Sequence, residues 1–164
     1  MAEWARGLLA WGKPVTVRAA AVAAGLRLRY WEDVHGDSAA PEVAAAVVAV
    51  EAWVANPGES ERRAAGRAAD FRLRSAWLPV HTWRLRAVVF AAASAAAARH
   101  DLQAGRLAAA AVALADCTEP GAPQRAAKRA SLGRGRVRHA LRRALVPWAL
   151  SPDSALTLGA GTDA

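Results

Sequence analysis

Acid–base catalysis needs carboxylates brought close enough to shift one another's pKa. Glu32 and Asp33 are adjacent, but neighbours on a helix point about 100° apart. This pair is therefore expected to stabilise or end a helix rather than to form a catalytic dyad. His35, His81, His100 and His139 share no metal-ligand spacing, and the single cysteine, Cys117, falls at no useful interval from them. The histidines read as loop or surface residues, and Cys117 as a buried or incidental thiol rather than a nucleophile. Gly133 and Gly135 form a G-x-G that follows no strand, and the chain has no Walker loop or dinucleotide fingerprint. The residues thus give no catalytic or metal-binding constellation; neither enzymatic activity nor a cofactor is expected.

Cationic chemistry is better supplied. The 164 residues carry a net charge of +8, unevenly spread. Residues 1–120 hold 14 basic and 12 acidic side chains. Residues 121–148 hold Arg125, Lys128, Arg129, Arg134, Arg136, Arg138, Arg142 and Arg143 with no acid, and residues 149–164 hold only Asp153 and Asp163 as charges. Within the basic segment, Val137, Leu141, Ala144 and Trp148 recur at i, i+4, i+7, i+11, with His139 and the arginines opposite. That is a basic amphipathic helix, with Pro147 expected to break its last turn. Such a helix can bind an acidic protein, track phosphates or lie on an anionic membrane, or it can pack on the body and solvate its arginines. The eight cations are the candidate contacts for an anionic partner. Ser131 to Arg136 is cationic, but it lacks the aromatics of a base-stacking platform.

The elements that must hold these residues are helices. Alanine, the best helix former, occupies 46 positions, while β-branched residues are confined to short valine clusters. The fold class read from this is all-α: an antiparallel bundle, or a short helix-pair array, of five to six helices. Pro14 to about Trp31 carries two apolar stripes, one with Val15, Val22 and Leu26 and one with Val17, Leu28 and Trp31. It should therefore be covered on two sides. Glu32 to Ala40 reads as a loop. A second helix runs from Pro41 to about Ala55 on the stripe Val43, Val47, Val50, Val54, and Asn56-Pro57-Gly58 stops it.

Ser60 is the expected N-cap of a third helix over about Glu61 to Arg74, with Glu59 and Glu61 at its positive end. Ser75 to His81 reads as a break. Thr82 should cap a fourth helix to about Arg99, and Asp101 a fifth to about Asp116. Glu119 to Pro123 is the strongest linker signal. Arg18–Arg29 and Arg63–Arg74 agree at eight of twelve positions, which suggests a duplicated helix pair, although four of the matches are alanine.

The expected division is a helical domain over 1–120, the basic segment over 121–148 and a flexible tail over 149–164. Trp53, Val43, Val47, Val50, Phe71, Leu85 and Val89 should form the core. Trp31, Trp53, Trp77 and Trp83 lie at helix ends or breaks and read as core plugs. Glu51 sits at the edge of the valine stripe, so it should be partly desolvated and paired with an arginine such as Arg18 or Arg63. Charges at Glu3, Arg6 and Lys13 argue against a signal peptide, and no apolar run reaches a membrane-spanning length. A cytoplasmic setting is expected.

The stretch Glu51-Ala52-Trp53-Val54-Ala55-Asn56-Pro57, with Glu61-Arg62-Arg63-Ala64-Ala65 after it, resembles alanine-rich helical proteins of GC-rich bacteria. Some of those are labelled uncharacterised and others immunity proteins; the resemblance spans about residues 15 to 116. It implies a helical fold and supplies no catalytic residues, and the basic charge departs from the acidity common in immunity proteins against nucleases. The functional expectation is a non-enzymatic helical protein–protein interaction module of accessory or immunity type, with the segment 123–146 as its contact arm. Nucleic-acid binding through Arg125 to Arg143 is the alternative.

Overall fold

The structure, a computed structural model, describes residues 7–35, 41–70, 83–115 and 134–149. A 3₁₀ turn, Leu8–Trp11, leads into α1 (Gly12–His35), followed by α2 (Pro41–Ala55), α3 (Glu59–Ala69), α4 (Trp83–Ala97), α5 (Asp101–Ala115) and α6 (Arg134–Ala149). The fold is an all-α bundle, and the described residues contain no strand. None of their helices is long and apolar enough to cross a membrane.

α1 is the hub. It packs against α2, α4, α5 and α6, while Val22 and Leu26 of its first apolar stripe stay half-buried. Val17, Ala19, Ala20, Ala23 and Ala24 are fully buried, and Val15 and Trp31 nearly so. α4 is the second central helix and touches α1, α2, α3 and α5. The seam between α4 and α5 is largely alanine. Ala104, Ala108, Ala111 and Ala115 recur at i, i+4, i+7, i+11 on α5, facing a core that includes Val88, Val89, Ala92 and Ala96 of α4. Side chains this small stabilise by letting the backbones approach rather than by filling volume. α2 buries Val43, Val47, Val50 and Trp53, and Leu85 and Val89 of α4 are also buried. Phe71 and Trp77 lie outside the described residues.

The entry to α1 depends on one glycine. Gly12 has φ +81°, a left-handed conformation that joins the 3₁₀ turn to the helix and that costs an L residue about 1–2 kcal/mol. The Thr16 hydroxyl then bonds back to the Lys13 carbonyl at 2.9 Å. At the far end of α4 the helix's negative pole is held by two cations. Lys13 Nζ donates to Ala98 O at 2.5 Å and lies 4.6 Å from the centre of the Trp53 ring. Arg62 donates to Ala97 O at 3.1 Å. One polar cluster thereby ties α1, α2 and α3 to the end of α4.

Several boundaries differ from expectation. α1 continues through Glu32 and Asp33 to His35, because burial of Tyr30 and Trp31 holds the turn that the adjacent carboxylates were expected to end. Ser60 is not the cap of α3. Gly58 is, with no side-chain cap bond, and Ser60 instead donates to Glu61 at 2.6 Å. Asp101 is the first residue of α5 rather than its cap. α6 runs past Pro147 to Ala149, since a proline this close to a helix end removes an N–H from the final turn alone. Thr82, the break at 75–81 and the linker at 119–123 lie outside the described residues.

Candidate binding groove

α6 docks on α1 through Val137, Leu141 and Leu145, which belong to the same buried core as the valines of α2 and α4. The helical part of the expected contact arm is thus fixed to the body by its apolar stripe. Its outer face carries His139, Arg142, Arg143 and Val146 at i, i+3, i+4, i+7, all exposed. Of the candidate cations, Arg142 and Arg143 are therefore presented together. Arg134, Arg136 and Arg138 fall on the first turns of α6. Arg125, Lys128 and Arg129 lie outside the described residues, as does Cys117.

α2 and α6 both pack on α1 without closing over one stretch of it, and a groove of about 640 Å³ remains between them. Its floor is a stripe of α1 in which Arg18, Val22, Gly25 and Arg29 follow at i, i+4, i+7, i+11. The two arginines therefore stand about 16 Å apart along the helix, with the apolar part of the floor between them. Glu51, Val54 and Ala55 at the end of α2 form one wall; His139, Ala140, Arg143 and Ala144 form the other. The space exists because the middle of the lining is small. A Cβ placed on Gly25 would meet nothing closer than Glu51 Oε1, at 4.0 Å.

Among the described residues the lining is cationic, with Arg18, Arg29 and Arg143 against Glu51. Burial lowers the pKa of Arg18 from its ordinary value, so part of its desolvation is already in place. Guanidinium groups in this setting favour carboxylate or phosphate oxygens, which they engage in two-point contacts. Among the described residues no group of three or more His, Cys, Asp or Glu side chains could hold a metal ion.

Glu51 lies where the sequence put it, at the margin of the valine stripe, but it is exposed rather than partly desolvated. One of its carboxylate oxygens lies at the groove floor, 4.0 Å from where a Cβ on Gly25 would stand. Arg63, one of its expected partners, pairs with Glu59 at 2.8 Å; Arg18, the other, lines the same groove as Glu51. Arg29 and Gly25 were not anticipated. The signal for them is the Arg18–Val22–Gly25–Arg29 stripe itself, visible only once α1 is given two partners and a face left between them.

The fold and the groove together define a small all-α bundle with an open, cationic, apolar-floored cleft. No protein family, curated protein or solved structure matches the chain.

Proposed function

We propose that the chain is a non-enzymatic helical interaction module, of accessory or immunity type, whose partner is a protein that presents an acidic surface. The observation that carries this reading is the juxtaposition of the exposed His139–Arg142–Arg143 face with the groove holding Arg18 and Arg29. Both lie on one side of α1, and among the described residues both have more cations than acids. A photo-crosslinking amino acid at Arg142 or Ala55, with one at Arg67 on exposed α3 as control, tests it. Adducts to one protein with an acidic segment, from the first two positions and not from the third, are the expected result. Adducts to nucleic acid alone, or equal yields from all three positions, would overturn it.

A second reading, nucleic-acid binding through the basic segment, draws on one observation: α6 contains no acidic residue, and Arg142 and Arg143 are exposed. It requires affinity that falls steeply with salt, because each phosphate contact releases a counterion. Glu51 and the apolar floor of the groove favour the protein partner.

A further inference from the structure

The groove has a chemical pattern of its own. Its two ends are arginines of α1, and its middle is lined by Val22, Gly25, Leu26, Val54, Ala140 and Ala144, with Glu51 Oε1 at the edge, 4.0 Å from where a Cβ on Gly25 would stand. Val22, Leu26 and Val54 are only half-buried, so this apolar surface awaits further cover. Gly25 contributes no side chain where a partner would enter, and the alanines of α6 contribute one carbon each. Such a depression accepts a bulky apolar side chain, the type of anchor that dominates interface energetics when it fills a desolvated pocket.

The apolar surface does not stop at the rim. On α2, Val48, Ala52 and Ala55 follow at i, i+4, i+7, all exposed, with Val48 at 62%, and Ala55 belongs to both the ridge and the groove. The ridge makes the whole surface longer than a small molecule needs and comparable with one face of a helix.

We propose that this groove is the docking slot for one amphipathic acidic helix of a partner protein. A large apolar residue of that helix sits over Gly25, and carboxylates before and after it reach Arg18 at one end and Arg29 and Arg143 at the other. Charge complementarity selects this occupant: among the described residues three arginines line the slot against one carboxylate, and the apolar floor gives a polynucleotide backbone nothing to pair with. The proposal rests on the acidic-partner reading and narrows it to a site and a side-chain pattern.

The test uses the full chain and a fluorescent helical peptide of about 15 residues, near the length at which isolated helices begin to hold. The peptide carries a central Trp with Glu residues one to two turns on either side. Three comparison probes accompany it: Trp replaced by Ala, every Glu replaced by Lys, and a single-stranded oligonucleotide. Fluorescence anisotropy should show binding of the Glu peptide that weakens about tenfold or more without its Trp, and no binding of the Lys peptide.

Gly25→Phe should fill the slot and abolish binding. Arg29→Glu and Arg143→Glu change exposed residues and leave the core untouched, so they give the same readout should the glycine variant fail to fold. Each should weaken the Glu peptide and strengthen the Lys peptide. Undiminished binding to Gly25→Phe that falls only with Arg142→Glu would remove the groove while leaving an acidic partner at α6. No binding of the Glu peptide, or binding of the oligonucleotide in its place, would overturn the slot and the acidic-partner reading together.

Discussion

Lys13 Nζ and the carbonyl oxygen of Ala98, 85 positions apart in sequence, meet at 2.5 Å. The bond joins the first turn of α1 to the residue after α4, and the same ammonium lies over the Trp53 ring. Burial lowers the pKa of Lys13 from the ordinary 10.5, with Asp101 opposing, Arg62 reinforcing and Glu59 opposing the shift. Because the folded value is the lower one, the unfolded chain holds more protons between that value and 10.5, and stability rises with pH across this window. Denaturant unfolding at a series of alkaline pH values should show that rise in the wild type and not in Lys13→Met. A fall over the same range would contradict the assignment.

Glu59 acts at the opposite pH extreme. Side-chain hydrogen bonds from Arg62 and Arg63 hold its carboxyl at about 2. Its contribution is complete above the ordinary carboxylate value of 4.5 and is lost as pH falls from there through about 2. The group is exposed, so the effect on stability is small. Glu59→Gln should flatten that part of the acid-unfolding curve, while an NMR titration of the wild-type Glu59 carboxyl should have its midpoint well below 4.5.

The alanine seam of α5 sets a limit on side-chain size. Ala111 is fully buried in the core. Ala111→Leu adds volume that the close helix approach cannot absorb and should cost about 1–3 kcal/mol in chemical unfolding. A neutral or stabilising result would mean that α4 and α5 are not tightly packed.

α6 should unfold with the body. Leu141 is fully buried, and Leu141→Ala is expected to lower global stability by about 2–5 kcal/mol. Loss of α6 protection in hydrogen exchange with no change in α4 would show the helix to be separately held.

The sequence was informative wherever periodicity alone decides. The stripe Val43–Val47–Val50 specified α2, and the double stripe of α1 identified the helix that four others surround. Local chemistry misled where burial outweighs it: Tyr30 and Trp31 carry α1 past Glu32 and Asp33. The repeat between Arg18–Arg29 and Arg63–Arg74 shows the same limit. Arg18 is half-buried in the groove, while its counterpart Arg63 is exposed beside Glu59, because neighbours and not sequence give equivalent positions their environments. Arg142 and Arg143 were legible from charge. Gly25 and Arg29 were not, since a groove belongs to three helices and the pattern of any one of them is silent about the gap.

A core lined so heavily by methyl groups also governs how the protein responds to temperature. The heat-capacity increment of unfolding follows the apolar area newly wetted, at about 0.45 cal/K/mol per Å², and each alanine releases little. The increment per residue should therefore fall at or below the lower end of the usual range of about 12–15 cal/mol/K. The free-energy profile then becomes shallow: modest at its maximum, yet slow to decline on warming or cooling.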